Sequence, residues 1–142
     1  MSRDLDRAIA IAVLRRGDEI LVSEVPDPAK RITGWRPPGG GIEFGERGAE
    51  TVVREIDEEL GVRVEDPRYL GTIENIFTFL GGAGHQLVRV YAVRFQDPQL
   101  YERERFECVE ANGARFLCVW KAIAHFDERA PLYPDGLLDL IR

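Results

Sequence analysis

Residues 35–61 constrain the fold more than any other part of the chain. They begin with Trp-Arg-Pro-Pro-Gly-Gly-Gly, in which two prolines and three glycines exclude a helix. From Glu46 to Leu60, apolar residues recur at steps of three and four, which is typical of one stripe of a helix: Ala49, Val52, Val53, Ile56 and Leu60. Gly61 follows where a left-handed C-terminal cap belongs. The sequence therefore predicts a glycine-rich turn followed by one amphipathic helix.

Three glutamates lie together beside this apolar stripe. Glu55, Glu58 and Glu59 fall within about 100° of arc around the helix axis. Carboxylates at one-turn spacing repel one another at neutral pH, and a divalent cation relieves that repulsion. Magnesium binds oxygen ligands and keeps several waters, so a few carboxylates and a backbone carbonyl of the glycine-rich turn suit it. The helix therefore predicts a magnesium site that handles phosphate.

Arg54 lies on another face of the same helix. We expect it to pair with Glu46 or Glu50 and so to fix how the glycine-rich turn enters the helix. The reaction that suits this arrangement is attack of water on a phosphoryl group. In that reaction a metal ion neutralises phosphate oxygens, and a carboxylate deprotonates or orients the water.

Residues 40–62 resemble the Nudix box, whose pattern is G-x5-E-x7-R-E-U-x-E-E-x-G-U with U a bulky aliphatic residue. The chain fills every defined position: Gly40, Glu46, Arg54, Glu55, Ile56, Glu58, Glu59, Gly61 and Val62. The resemblance implies an α/β fold, an α/β/α sandwich with a mixed β-sheet, in which the box forms a loop-helix-loop. It also implies an Mg2+- or Mn2+-dependent hydrolase that cleaves the phosphoanhydride (pyrophosphate) bond of a nucleoside diphosphate linked to another moiety.

The resemblance assigns roles to individual residues. The expected metal ligands are three carboxylates and one carbonyl: Glu55, Glu58, Glu59 and Gly39. The same glutamates and Arg54 are the expected catalytic residues. The residues expected to shape and orient the box are Gly40, Glu46 and Gly61. The general base stays open between Glu55 and a glutamate outside the box. The resemblance also implies that an acid from a later loop often adds to the metal shell, and the sequence does not rank the candidates for it: Glu102, Glu104, Glu107 and Glu110.

The rest of the chain reads as strands around this helix. The β-rich segments are residues 8–14, 19–25, 69–80, 86–95 and 114–120. We expect loops at residues 26–34 and 98–112, and a short helical turn at residues 121–126. Residues 135–142 read as a C-terminal helix with Asp135 near its cap. This order of elements predicts a single layered domain over residues 1–142.

Composition narrows the possible partners and the compartment. The net charge is −6 and no basic run occurs, which argues against nucleic-acid binding through a basic surface. The charged N-terminus lacks the apolar segment of a secretory signal, and no stretch is long and apolar enough to span a bilayer. Two cysteines, Cys108 and Cys118, are too few for a disulfide scaffold and lack zinc spacing. We therefore expect free thiols and a cytoplasmic protein.

The substrate itself is not readable from the sequence. We expect Arg36, Phe77 and His85 to contact a small nucleotide-like diphosphate. Further candidates for stacking a base or contacting phosphate are Trp35, Phe79, Tyr91, Arg31 and Arg89. The region after the box carries neither the proline typical of ADP-ribose hydrolases nor the tyrosine typical of diadenosine polyphosphate hydrolases, and the coenzyme A signature upstream is absent. These absences lower the weight of those three substrates.

Two other functions compete with hydrolysis. The first is a Nudix-fold domain that binds a nucleotide or regulates without turnover, although such domains usually have an eroded box. The second is isomerisation of isopentenyl diphosphate, which needs a catalytic cysteine in a setting that neither cysteine of this chain shows. Many members of the resembled family are dimers, so a homodimer is one arrangement that the resemblance allows.

Overall fold

The computed structural model describes residues 7–142, which form two β-sheets and two α-helices. Residues 1–6, which belong to the charged N-terminus discussed above, lie outside the described residues. The elements follow in the order β1 (Ala8–Val13), β2 (Arg15–Arg16), β3 (Glu19–Asp27), β4 (Ile32–Arg36), β5 (Gly39–Gly41), α1 (Gly48–Leu60), β6 (Val64–Phe79), β7 (Gly82–Phe95), β8 (Arg105–Val109), β9 (Arg115–Ala122) and α2 (Leu137–Ile141).

The central sheet is mixed and has the strand order β5-β1-β7-β6. β1 runs parallel to β7, with Ala8 opposite Leu87 and Val13 opposite Ala92. β5 and β6 pair antiparallel with β1 and β7, so they are the two edge strands. In the second sheet β3 pairs with β2, β4 and β9, and β8 pairs with β9, all antiparallel. The short edge strand β5 therefore carries the glycine-rich turn directly beside the buried strand β1.

Strand alternation divides the apolar core into two clusters, one on each side of the central sheet. Ala10 and Ala12 of β1 face the side on which α1 packs. Ile11 and Val13 face the other side, where Leu137 and Ile141 of α2 pack. The sheet layer thus has a helix on each face. The predicted α/β/α sandwich with a mixed sheet is confirmed.

The helix predicted over residues 46–60 begins at Gly48 and ends at Leu60. Its apolar stripe points inward, with Val52, Ile56 and Leu60 buried. The Glu50 carboxylate accepts a hydrogen bond of 3.0 Å from the Arg47 N–H, which satisfies a donor at the helix N-terminus. Gly61 ends the helix in the left-handed conformation with φ 68°, and its N–H donates to the Asp57 carbonyl.

Two segments expected to be loops contain strands instead. Residues 26–34 form the turn and flanks of a hairpin, because β3 continues to Asp27 and β4 begins at Ile32. Residues 98–112 contain a 3-10 helix, Pro98–Glu102, and the strand β8. Every second residue of β8 is exposed, and two of these three residues, Arg105 and Glu107, are charged. The residues between them, Phe106 and Cys108, are buried. High charge therefore hid a half-buried strand whose signal is period-two alternation.

The C-terminal helix is shorter than predicted. It spans Leu137–Ile141, and its cap is Gly136 with φ 94° rather than Asp135. A 3-10 turn, Ile123–His125, confirms the helical turn expected at residues 121–126. Among residues 7–142, no helix is long and apolar enough to cross a membrane.

Replacing Ile56 with alanine tests the packing of α1 on the sheet. Ile56 is fully buried, so Ile56→Ala leaves a cavity and should lower the free energy of unfolding by about 2–5 kcal/mol. Urea denaturation followed by circular dichroism measures this loss. The matched control is Ile76→Ala, because Ile76 is 75% exposed and should change stability by less than about 0.5 kcal/mol. Equal losses in the two variants would contradict the burial of α1.

Candidate active site

Each glycine of β5 leaves room for a different neighbour. A side chain at Gly39 would overlap the backbone of β1 at Ala10. One at Gly40 would overlap the Glu55 carboxylate, and one at Gly41 would meet the Arg7 guanidinium. The three glycines therefore bring strand β1, a box carboxylate and an arginine against one short strand.

The hydrogen-bond pattern of β5 directs selected backbone groups to its free edge. The Ile42 N–H donates to Ala8, and the Pro38 carbonyl accepts from Ala12. Because paired residues alternate along an antiparallel ladder, the N–H and C=O groups of Gly39 and Gly41 point away from β1. Two contacts agree with this geometry. Arg54 donates to the Gly41 carbonyl at 3.1 Å, and the Gly39 N–H lies close enough to Glu59 to lower its pKa.

Arg54 and Glu46 form the central ion pair of the box. Arg54 donates from Nε to Oε2 at 2.7 Å and from Nη2 to Oε1 at 2.8 Å, a bidentate pair. Thr51 adds a hydroxyl donor to Glu46 at 2.7 Å. The Arg54 hydrogen bond is the main reason that the pKa of Glu46 falls to about 2. The predicted partner Glu46 is thus confirmed, whereas Glu50 pairs with Arg47 at 3.8 Å.

The same guanidinium also reaches two of the three predicted metal ligands. Arg54 Nη1 lies 3.0 Å from Glu55 Oε1 and 3.3 Å from Glu58 Oε2. Burial raises the pKa of Glu55, and the hydrogen bond from Arg54 opposes that shift. Glu58 is largely exposed, with 58% of its side chain accessible. Arg54 therefore holds Glu55 and Glu58 on the face that the sequence predicted.

Glu59 is the least satisfied carboxylate of the site. Its Oε1 atom is buried and has no hydrogen-bond partner among residues 7–142. Burial, followed by the charge of Glu55, raises the pKa of Glu59 to about 7. The charge of Arg36 and a hydrogen bond from the Gly39 N–H lower the pKa of Glu59 and so oppose this shift. The two glutamates are thus near neighbours, and their repulsion is only partly compensated.

The donors suit a divalent cation, but they are not preassembled around one point. Across residues 7–142, no group of three His, Cys, Asp or Glu side chains converges closely enough to form a ready metal site. Arg54 lies between Glu55 and Glu58, which is a physical reason for this separation. Hard oxygen donors and a buried unpaired carboxylate oxygen are what Mg2+ or Mn2+ would satisfy. Binding would require Glu55 and Glu58 to turn from Arg54 toward the cation.

Two residues outside the box lie near Glu59. Arg36, at the end of β4, lies 4.0 Å from Glu110 in the turn between β8 and β9. The positive charge of Arg36 lowers the pKa of Glu59, and the negative charge of Glu110 raises it. The structure therefore ranks the four outside acids, which the sequence did not do. Glu104 pairs with Arg16 at 3.3 Å, and the side chains of Glu102 and Glu107 are exposed on other elements.

The remaining candidates for substrate contacts are scattered. Phe77 packs over Gly84 near the tip of the β6–β7 hairpin and shares its strand face with Ile73, on the α2 side. His85 is exposed near the same tip, opposite Ile76. Arg89 donates to Tyr91 at 3.3 Å, and Tyr91 is buried beneath the start of α1. Of the three residues expected to contact substrate, only Arg36 thus lies beside a box glutamate.

Comparison with known proteins identifies the family. A family model described as the NUDIX domain matches residues 4–135. Since this match spans nearly the whole chain, and the box lies on the loop and helix that such a domain requires, the chain belongs to the Nudix family.

Individual relatives agree with this assignment. A candidate mutator protein, MutT4, of Mycobacterium tuberculosis (strain CDC 1551 / Oshkosh) is 34% identical over 95 residues, which are 67% of this chain and 38% of that protein. The m7GpppN-mRNA hydrolase NUDT17 of Xenopus laevis is 28% identical over 125 residues, or 83% of this chain and 42% of that protein. The chain therefore spans about two fifths of the length of these relatives.

A solved structure shows the same fold. The crystal structure of a MutT NUDIX hydrolase from Burkholderia pseudomallei has a TM-score of 0.68 with this chain at 23% identity. The likeness covers 96% of this chain and 98% of that one. The overall fold of the chain is thus that of a known Nudix structure.

The ion pair of Glu46 predicts acid sensitivity. Its pKa is about 2 in the folded protein and 4.5 ordinarily, so its stabilisation is complete above pH 4.5 and is lost as the pH falls toward 2. Glu46→Gln should cost about 2 kcal/mol at pH 7, and this cost should shrink as the pH falls through that window. Urea denaturation of both proteins between pH 2 and pH 7 measures it. A cost that does not depend on pH would contradict the pair.

The raised pKa of Glu59 predicts that its contribution to folding stability falls as the pH rises, the opposite of the dependence expected for Glu46. Its pKa is raised to about 7 from 4.5, so the stability it contributes is present below pH 4.5 and is lost as the pH rises through 7. In the presence of EDTA, Glu59→Gln should therefore unfold at a higher temperature than the wild type at pH 8. The two proteins should unfold at nearly the same temperature at pH 4.5. A lower unfolding temperature for the variant at pH 8 would contradict the unpaired burial of Glu59.

Proposed function

We propose that this chain is a pyrophosphohydrolase that uses Mg2+ or Mn2+ to cleave a phosphoanhydride bond in a nucleoside diphosphate linked to another moiety. The observation that carries the proposal is the Glu59 carboxylate. It is buried beside Glu55 at the free edge of Gly39, and its Oε1 atom has no hydrogen-bond partner within residues 7–142. Such an arrangement costs free energy unless a cation completes it. The family assignment supports the same function.

The residues that would hold the cation are Glu55, Glu58 and Glu59, with the Gly39 carbonyl as a further ligand. When bound, the ion neutralises phosphate oxygens and favours attack of water on phosphorus. Arg54 orients Glu55 and Glu58, while Glu46 and Gly41 hold Arg54 in place when those carboxylates turn toward the ion. Gly40 keeps the space into which the Glu55 carboxylate fits.

A carboxylate must accept the proton of the attacking water. The candidates are Glu55, Glu59 and Glu110. The first two belong to the box, and the charge of Glu110 raises the pKa of Glu59. The water loses its proton to one of them as the oxygen–phosphorus bond forms, and the phosphoanhydride bond breaks with its electron pair on the leaving phosphate. Arg36 holds Glu110 near Glu59, so a base outside the box would be Glu110 rather than the other three outside acids.

We infer that the substrate is a small nucleotide-like molecule. The name of the Xenopus relative denotes action on capped mRNA, but this chain shares only about two fifths of that protein. We therefore carry over only the class of bond, a phosphoanhydride. The acidic net charge of −6 agrees with a small anionic substrate handled through a metal ion rather than with a nucleic-acid surface. Free thiols at Cys108 and Cys118 support a reducing compartment, the cytoplasm.

The two competing functions are less well supported. A non-catalytic Nudix-fold binding or regulatory domain has no need for all three box glutamates, and they are retained here. Isomerisation of isopentenyl diphosphate needs a cysteine that reaches its substrate, whereas Cys108 and Cys118 are at most 1% exposed.

A product-release assay tests the proposal. The wild-type chain is incubated with dNTPs, ADP-ribose, nucleotide sugars and dinucleoside polyphosphates, with Mg2+ or with EDTA. We expect Mg2+-dependent release from at least one of them, and Glu59→Gln should lower kcat by about 100-fold or more without unfolding the protein. Release from none of the substrates would favour the binding domain.

A matched control separates a role at the site from a loss of surface charge. Glu104→Gln removes an exposed glutamate that pairs with Arg16, and it should leave kcat within about twofold of the wild type. Glu110→Gln should lower kcat strongly only if Glu110 is the base. A loss in Glu104→Gln as large as that in Glu59→Gln would contradict the assigned site.

A further inference from the structure

The second half of β6 is a sheet edge that no strand covers in the part of the chain that the structure describes. β6 ends the strand order β5-β1-β7-β6, and within residues 7–142 no strand pairs with its outer side. Its first half contains Pro67 and two register shifts in the pairing with β7, which blunt the edge there. From Thr72 to Phe79 the pairing with β7 is regular, one residue to one. Residues 72–79, which we call the open edge, therefore direct an unbroken row of backbone N–H and C=O groups outward.

The composition of the open edge favours pairing with a further strand. It reads Thr-Ile-Glu-Asn-Ile-Phe-Thr-Phe, with neither proline nor glycine, and six of its eight residues are β-branched or aromatic. Glu74 is its only charged residue, although 31% of the whole chain is charged. Ile76 is 75% exposed, and Leu80, the residue that follows the open edge, is 62% exposed. An exposed edge of this kind is a template for another strand, which natural proteins normally avoid.

The other described sheet edges are short, charged or covered. β5 has three residues, and its Gly41 carbonyl accepts a hydrogen bond from Arg54. β8 has five residues and exposes the charged side chains of Arg105 and Glu107. β2 has two residues, and β4 is bridged to Leu132. The open edge is the exception, which indicates that it has a partner of its own.

We infer that the open edge pairs antiparallel with the open edge of a second copy of this chain, about a two-fold axis at Ile76. The pairing joins the two four-stranded central sheets into one sheet of eight strands. In this register Ile76 lies opposite its own copy and Glu74 lies opposite Thr78, so no two like charges face each other. The net charge of each chain is −6, and two copies repel each other little where the contact strand carries a single charge.

A second copy matches the open edge in length and on both faces. The even-numbered side chains of the open edge are exposed, and the odd-numbered ones are half-buried on the α2 side. A two-fold axis perpendicular to the sheet keeps every side chain on its own face. Exposed Ile76 therefore packs against its copy on one face, which removes apolar surface from water. On the other face Asn75 lies opposite Phe77, and Ile73 lies opposite Phe79.

The size of the contact sets the strength of the dimer. Eight residues on each side are fewer than the roughly 20 to 30 of a standard interface. We therefore expect a dimer that forms at high protein concentration and dissociates on dilution. Urea denaturation of dilute protein then reports on the monomer, in which Ile76 is exposed.

Charge exchange at the two-fold axis tests the inference. Ile76→Lys or Ile76→Glu places two like charges opposite each other, so each variant alone should dimerise about tenfold or more weakly than the wild type. An equimolar mixture of the two variants should recover the dimer, because lysine then faces glutamate. Sedimentation velocity over a range of concentrations measures the mass, and hydrogen exchange at residues 72–79 should slow in the dimer. The control Val109→Lys, at a residue of β8 that is 43% exposed, should match the wild type.

Each outcome decides for or against the open edge as an interface between two copies. Recovery of the dimer in the mixture, with slowed exchange at residues 72–79, would support it. A wild type that is monomeric at the highest soluble concentration would overturn it, as would a dimer that Ile76→Lys leaves unchanged or that Val109→Lys weakens equally. The box lies at β5, the opposite end of the strand order, so monomeric Ile76→Lys should keep any Mg2+-dependent hydrolysis within about twofold of the wild type. The proposed function and the dimer can therefore fail independently.

Discussion

The bidentate pair between Arg54 and Glu46 is the interaction on which the rest of the site depends. It joins the box loop to α1, and the same guanidinium reaches the Gly41 carbonyl, Glu55 and Glu58. The pKa of Glu46 is about 2, so this carboxylate is ionised at any physiological pH. Arg54 therefore always has one charged partner. If Glu55 and Glu58 bind a metal ion as proposed, they would leave Arg54 without releasing it from the loop.

The second constraint is the close packing around β5. Three consecutive glycines place β1, the Glu55 carboxylate and the Arg7 guanidinium around one short edge strand. The antiparallel pairing with β1 directs the backbone of Gly39 and Gly41 to the side that β1 leaves open. The Glu55 carboxylate and the outward-facing backbone groups of Gly39 and Gly41 therefore lie along the same edge strand. Glu59 is the destabilised group of the site: its Oε1 atom is buried without a hydrogen-bond partner in the part of the chain that the structure describes, and its pKa is raised to about 7.

The sequence predicted the parts of this structure that have a short, regular signal. The apolar stripe from Val52 to Leu60 and the cap at Gly61 predicted the helix α1 and its C-terminal end. The spacing of the box predicted that the three glutamates share one face of that helix. The sequence did not predict the position of Glu110 or Arg7, because both reach the box through strand pairing between distant segments. It also missed β8, whose charged residues alternate with the buried Phe106 and Cys108. For Glu110 and Arg7 the deciding contact is tertiary and has no local pattern, whereas β8 carries a period-two alternation that its high charge obscured.

The proton balance of metal binding tests the central claim most directly. If Glu59 has a pKa of about 7 in the metal-free protein and ligates the ion as a carboxylate, Mg2+ binding at pH 7 must release about half a proton. Calorimetric titration in buffers of different ionisation enthalpy measures this number. The account predicts about half a proton for the wild type, almost none at pH 8.5, and none for Glu59→Gln at pH 7. Binding without proton release at pH 7, or the same release in Glu59→Gln, would contradict it.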